Sequence, residues 1–525
     1  MSETPAIMRR IDGRGLAAWS IAASLAAFAL MQIFAAIWAG GVFEYPLDDP
    51  YIHLAMAEQI WQGGYGVNPG ELASAASSPL YPVLLAPFAG SDLGRFAPLL
   101  LNVFGIVGAA YLFARLLIES GFIDRYQRVG RVMAIGAPIA LNLPGLGFTG
   151  MEHSLHAAFS LAIVLGLVRL VQGRGIGIWL VLGVFFAPMM RLEGVALGLL
   201  ASGAAFAYGA RGGAFGLMAL SLAPLAAFVG FLSALGIGPL PSSVMAKMLD
   251  GGMADAGFVE GKLAEFSNNI SSLPGIGLLV LTGLALIGAM ATRDKGARTL
   301  LIVGSFTGLA HLFFGQVGWL NRYEIYAVLV IAALIFASLG LLGAPRLGGV
   351  ALASVLTILV MGFAYGRDFL AVGIWAPQGI HLQQAQMARF VRDYAPVDIA
   401  VNDLGRVAWR NPGHVLDLWG LASADARKAR ILNPKEGWAG NLVARDGAPL
   451  VMIYAHPFAG AMGADWIALG KLQLRYARGF LGGPEVEFYA SGPQAAPELR
   501  AALAVFAQDL PDGVRFVAAG QGGAQ

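Results

Sequence analysis

Between Leu16 and about residue 364 the chain passes through about eleven apolar stretches. Most are close to the roughly 20 residues an α-helix needs to cross a bilayer core. A soluble protein could not carry them: 57% of the residues are apolar and only 13% are charged, too few to keep a surface of this size wet. The first stretch runs from Leu16 to about Gly40. It follows Arg9, Arg10 and Arg14 and is longer than the core of a signal peptide, so it reads as a retained membrane helix with the start of the chain in the cytoplasm. The others fall at approximately 96–118, 132–148, 154–171, 176–190, 194–210, 214–235, 273–292, 299–315, 325–343 and 347–364. The expected fold class is an α-helical polytopic membrane protein of about eleven spans.

Positive charge gives the polarity. Arg115, Arg125, Arg128 and Arg131, then Arg169 and Arg174, then Arg211, then Arg293, Lys295 and Arg298, then Arg346 occupy alternate loops. The intervening loops hold only Arg95, Arg191, Lys247, Lys262 and Arg322. By the positive-inside rule the first set is cytoplasmic, in what reads as a bacterial inner membrane. After about Gly366 the pattern changes. Val397 to Val401, Val415 to Leu418 and Leu450 to Tyr454 read as short buried strands; Ala424 to Ile431 and Pro497 to Leu510 read as amphipathic helices. The expected division is a transmembrane domain over 1–365 and an α/β domain over 366–525. An odd number of spans puts the second domain outside the cytoplasm. The net charge of +2 gives no reason to expect a nucleic-acid partner, and the lack of cysteine excludes disulfides, thiol catalysis and cysteine metal sites.

The unusual polar residues all fall on the expected outer side. Glu44 to Tyr81 forms the first outer loop, followed by Thr149 to His153 (TGMEH), Arg191 to Gly194 (RLEG), Pro241 to Lys247 (PSSVMAK) and Asn321 to Glu324 (NRYE). Ionisable groups near membrane depth are costly, and several gathered at one boundary suggest a site. In the first loop, Asp48 and Asp49 precede Pro50, a helix-start signature. The helix from Pro50 to about Gln62 is expected to lie in the membrane interface. Asp49 either caps it or serves with Asp48 as a general base. Lys247 and Arg322 either bind a phosphate or snorkel to the interface. Arg191 either joins them or pairs structurally with Glu193. Glu152, His153 and His156, with Asp49 and His53, have a spacing that allows a divalent metal but does not require one, so no cofactor is assigned.

These residues resemble a family. Asp48-Asp49-x-Tyr51-Ile52, Gly64-Tyr-Gly-x-Asn-Pro-Gly-Glu71 and Ser78-Pro-Leu-Tyr81 resemble the first outer loop of bacterial GT-C fold glycosyltransferases. The likeness is to the branch holding the mycobacterial terminal arabinofuranosyltransferases and their aminoarabinose- and mannosyl-transferase relatives. Gly150-Met-Glu152, Arg191-x-Glu193-Gly194, Pro241-Ser-Ser-x-x-Ala-Lys247 and Arg322-Tyr323 follow in the same order. Beyond the membrane part, only Ile399-Ala-Val-Asn-Asp-Leu-Gly405 and Asp417-Leu-Trp-Gly-Leu421 look similar. The chain departs from the branch at Ser242-Ser243 and within Arg191-Leu-Glu-Gly194, which leaves the sugar open.

The resemblance implies transfer of a pentose or hexose from a polyprenyl-phosphate donor to an envelope glycan, a lipid-linked saccharide or a protein. Asp49 or Asp48 would be the base, with Lys247, Arg322 and Arg191 at the donor phosphate. Glu152, His53, Asn68, Glu71 and Tyr51 are the expected substrate contacts. Membrane lipids would surround the helices. The alternative is a lipid or saccharide transporter or flippase. Transporters tend to carry internal repeats and midplane charges; no repeat is visible in this sequence.

Overall fold

The computed structural model describes residues 13–242, 245, 257–342, 348–432, 434–476 and 479–520. Eight of the described helices are long and apolar enough to cross a membrane, among them Arg14–Trp38, His153–Val171, Leu273–Ala291 and Lys295–Phe314. Three further apolar helices are shorter: Ile178–Met190, Gly194–Ala207 and Ile325–Leu341. At about 1.5 Å per residue, the 13 residues of Ile178–Met190 reach only about 20 Å. The stretch expected at 132–148 is broken. One helix covers Phe122–Ala140 and a short one Leu143–Phe148, and Asn142 between them adopts a left-handed conformation.

The chain divides into two compact units. The first comprises Met1–Gln32, Leu99–Ala227 and Gly257–Leu370. Its helices start where the sequence supplies caps: Ser272 accepts from Gly275 N ahead of Leu273–Ala291, and Asp294 accepts from Ala297 N at 2.7 Å ahead of Lys295–Phe314. Ile325–Leu341 is buried almost around its whole circumference, as expected of a helix apolar on all sides and surrounded by others. The His153–Val171 helix packs tightly on Ile178–Met190. A Cβ at Gly166 would lie 2.4 Å from that of Leu180, so only glycine permits this approach. Outward faces remain apolar: Phe363 is 72% exposed, with Leu352, Leu356, Leu359 and Val360 exposed on the same helix. Such a face suits hydrocarbon, not water.

The His153–Val171 helix also separates two kinds of polar cluster. Glu152 sits at its N-cap and Arg169 in its last turn, roughly 25 Å apart at the helical rise. At the Arg169 end, Arg115, Arg169 and Arg174 converge on Glu119 at 2.6, 2.7 and 3.2 Å. These arginines belong to the set expected in the cytoplasm.

The second unit comprises Ile33–Pro98, Phe228–Ala256 and Ala371–Gln525. Its centre is a six-stranded sheet ordered β2-β1-β3-β5-β4-β6, with β1 Ile399–Val401, β2 Val415–Asp417, β3 Leu450–Ile453, β4 Ile467–Leu474, β5 Glu485–Ala490 and β6 Val514–Ala518. β2, β1 and β3 are parallel and match the three expected strands; β5, β4 and β6 add an antiparallel half. One face is filled by Leu418, Leu442, Val443, Val451 and Phe458, with Trp438 from the helix Trp438–Asp446. The expected helix over 424–431 is a short α-turn, Ala424–Arg427, continued by a wider π-turn, and that over 497–510 is Ala496–Phe506.

Candidate functional site

The first-loop helix, Asp49–Trp61, belongs to the second unit. Pro50 to Ala57 and Gln59 are all buried, so this is not the interfacial helix expected from its mixed polarity. The reason is its neighbour: it packs on the short Gly405–Ala408 helix that follows β1. His53, an expected substrate contact, is 1% exposed. It stacks edge-on against Tyr81 at 5.2 Å, with Ser77 Oγ 3.4 Å from its Nε2.

Asp48 occupies the N-cap position but does not cap its own helix. Its Oδ2 accepts from Gly405 N at 2.6 Å and its Oδ1 from Arg406 N at 2.7 Å. Both oxygens are therefore turned to the amides that open the Gly405–Ala408 helix. Glycine at 405 is required by this approach, because a Cβ there would meet the Asp48 carbonyl oxygen at 2.1 Å. Asp49 takes the first helical position, where a carboxylate is favoured by the helix dipole.

These groups lie beyond the carboxyl end of β1, the place where open α/β sheets tend to hold ligands. Asn402 and Asp403 leave that strand end. Asp403 Oδ2 accepts from Gln384 Nε2 at 2.8 Å, and Asn402 Oδ1 accepts from Tyr454 N at 2.9 Å. The Tyr454 hydroxyl donates to Gln383 Oε1. Asp48, Asp49 and Asp403 make one acidic neighbourhood. Withdrawal from water, with Asp403 nearby, pushes the Asp48 carboxyl up to about 7, against the pull of its two amide donors. Burial, then Asp49, pushes Asp403 upward, against the pull of Gln384 and Tyr454. Three carboxylates this close cannot all be charged cheaply, so the group retains a proton at higher pH than isolated acids do.

The remaining first-loop residues attach the loop to the sheet. Tyr51 is fully buried, its hydroxyl bonded to Glu44; Glu44 in turn faces Arg406 Nε at 3.5 Å. The Arg406 guanidinium covers both Tyr51 and Trp409. Tyr51 is thus an internal post, with no surface left for the sugar contact expected of it. Asn68 imitates a neighbouring strand at edge strand β2. Its Nδ2 donates to Val415 O and its Oδ1 accepts from Val415 N, both at 3.0 Å. Asn68 also donates to Glu71, whose Oε2 lies 3.1 Å from His414 Nε2, and Asp446 stands 3.4 Å from the other ring nitrogen. The Glu71 hydrogen bond raises the His414 pKa, and the same bond lowers that of Glu71. Asp417 ends β2 and accepts the amides of Trp419 and Ala422.

In the first unit, the turns TGMEH, RLEG and NRYE meet. Arg191 is bonded to Glu152 at 2.8 Å and to Glu193 at 2.7 Å, and lies over the Tyr323 ring. Arg322 donates to the Tyr323 hydroxyl at 2.9 Å and is 3% exposed. Arg191 is therefore a structural tie whose charge is already balanced, and Glu152 is its partner. Buried Arg322 does not snorkel. His156 stacks on Tyr326. His311 donates from Nε2 to Gln316 O and accepts at Nδ1 from Tyr326. Among the described residues no group of three or more His, Asp or Glu side chains is arranged to hold a metal. Lys247 and Ser243 lie outside the described residues.

Residues 375–489 match a family described as a domain of unknown function, DUF8728. The match takes in β1 to β5 and the Asn402–Gly405 strand end, and leaves the membrane helices before residue 371 outside it. No curated protein matches the chain.

Proposed function

We propose that the chain is a polyprenyl-phosphate-sugar-dependent glycosyltransferase of the bacterial cytoplasmic membrane. It would act on the outer face and use Asp49 as general base. The observation that carries the reading is the clamp of Asp48 on Gly405 and Arg406. With both oxygens of Asp48 committed, it is a positioning residue. It fixes the start of the first-loop helix, and Asp49 is held as that helix's first residue at the carboxyl end of the parallel strands.

In the reaction, Asp49 takes the proton of an acceptor hydroxyl as that oxygen attacks the anomeric carbon of the donor sugar. The bond from that carbon to the lipid-phosphate oxygen breaks, and the phosphate leaves with the electron pair. In-line displacement inverts the anomeric centre. The growing negative charge on the phosphate needs a preorganised cation. Arg322, whose guanidinium is held against Tyr323, is suited to that role; Arg191 is not, since two carboxylates already neutralise it. Lys247 keeps the same role on sequence grounds alone. The sugar is a pentose or hexose, and the acceptor an envelope glycan, a lipid-linked saccharide or a protein.

Lipid extracts of a strain lacking this chain test the reading. A polyprenyl-phosphate sugar should accumulate and disappear on complementation. An unchanged pool of lipid-linked sugars would contradict it.

A further inference from the structure

The second unit contains a cavity of about 490 Å³ at the far end of the first-loop helix, lined on one side by Glu58, Gln59 and Gln62 and on the other by Arg392, Ala408 and the segment from Arg410 to Gly413. The volume is within the range of about 300–1,000 Å³ that small-molecule sites occupy. Its chemistry is polar but uncharged in effect. Arg410 is spent on Glu58, Asp92 and the Ser91 carbonyl, and Arg392 on Asp393. What remains is carboxamide: Gln59, Gln62 and Asn411. The Asn411 Oδ1 accepts from Gly413 N, while its Nδ2 is buried and has no partner among the described residues. A buried donor in that state calls for an acceptor. Arg410 moreover holds a left-handed backbone (φ 58°), a conformation that costs a non-glycine residue and collects at functional sites.

We infer that this cavity binds a neutral saccharide. Planar amides that both donate and accept match hydroxyl groups on adjacent carbons. A phosphate or carboxylate would need a free cation, and both arginines are already paired. A second step rests on the glycosyltransferase reading. Gln59 to Gln62 lie 10 to 13 residues beyond Asp49 on one helix, roughly 15–20 Å along its axis. The cavity is therefore too far from the base to hold the reacting sugar. It holds a remote part of the acceptor, which makes the acceptor an extended oligosaccharide.

The test uses the full chain in nanodiscs, titrated with neutral linear tetrasaccharides of arabinofuranose, mannose, glucose and galactose, with the matching monosaccharides and with inorganic phosphate. At least one tetrasaccharide should bind, its monosaccharide at least tenfold more weakly, and phosphate not at the same site. Gln62→Ala, at an exposed position, and Asn411→Ala should each weaken the tetrasaccharide at least tenfold with an unchanged melting temperature. Asp49→Asn should bind it as the parent does. No tetrasaccharide binding, or equal binding by both cavity variants, overturns the site; equal binding of the monosaccharide overturns the extended acceptor. If the site fails while Asp49-dependent transfer persists, only this inference falls. If glycan binds and no transfer depends on Asp49, the glycosyltransferase reading falls and the saccharide site stands.

Discussion

Asp48 grips Gly405 across 357 residues of sequence, its Oδ2 accepting the Gly405 amide at 2.6 Å while its Oδ1 takes that of Arg406. This contact ties the first outer loop to the strand end that bears Asp403. A methyl group at 405 would drive the two apart. Gly405→Ala should destabilise the protein by about 1–3 kcal/mol, the usual cost of overpacking a tight site. It should also reduce transfer beyond what lost stability explains. Melting temperature and turnover of the purified variant check this; if neither changes, the clamp does not position the loop.

The Glu71–His414 pair predicts a pH window. His414 has a raised pKa, so its contribution is complete below the unfolded value and is lost as pH rises through the folded value. Glu71 has a lowered pKa, so its contribution is present above the unfolded value and fades as pH falls through the folded one. The attachment of the loop is therefore strongest between the two. Asp446 and Asp398 also face the imidazole and act in the same direction on it. Melting temperature measured from pH 4 to pH 9 should fall at both ends relative to His414→Gln. Parallel profiles for the two proteins would remove the assignment.

Arg191 provides a test of the first unit. Arg191→Ala leaves the buried carboxylate of Glu152 without its guanidinium, and breaking a buried ion pair by removing one partner typically costs about 3–5 kcal/mol. Adding Glu152→Gln and Glu193→Gln should recover much of the loss. Yield of folded protein and thermal stability in detergent decide it. A single variant as stable as the parent would argue for a ligand-facing arginine instead.

Arg322→Ala should weaken donor binding. One charged hydrogen bond to phosphate is worth about 1.5–3 kcal/mol, on the order of tenfold to a hundredfold in affinity. Titration with a polyprenyl-phosphate sugar checks it, and unchanged affinity would take Arg322 out of the phosphate site.

The helical part was readable because apolar runs act locally. The strands β1, β2 and β3 were readable for the same reason, as short apolar runs. What the sequence hid is long-range. Nothing near Asp48 announces that its oxygens belong to Gly405 and Arg406, nor does anything near Asn68 announce its pairing with Val415. Asp-Asp-Pro is a local helix-start pattern that suggests Asp49 as the cap; the cap position falls to Asp48 instead, and a distant backbone takes its carboxylate. Tyr51 and His53, expected as substrate contacts from the resemblance, lie on a helix that the sheet domain covers, which nothing in its own sequence announces. Asp403 follows the strand read at Val397 to Val401, but its place near Asp49 depends on a tertiary contact. The nearest local signal was the Asn-Asp-Leu-Gly run itself.

The most direct measurement compares Asp49→Asn with Asp48→Asn in nanodiscs, following release of lipid phosphate from a polyprenyl-phosphate sugar, with melting temperatures recorded alongside. Asparagine keeps the size of the side chain and removes the base. The account predicts that Asp49→Asn folds, binds donor and loses transfer by about 10²–10⁴-fold, the usual range for a general base. Asp48→Asn should lose less activity and more stability, because one amide acceptor is replaced by a donor. Full transfer by folded Asp49→Asn would contradict the central claim.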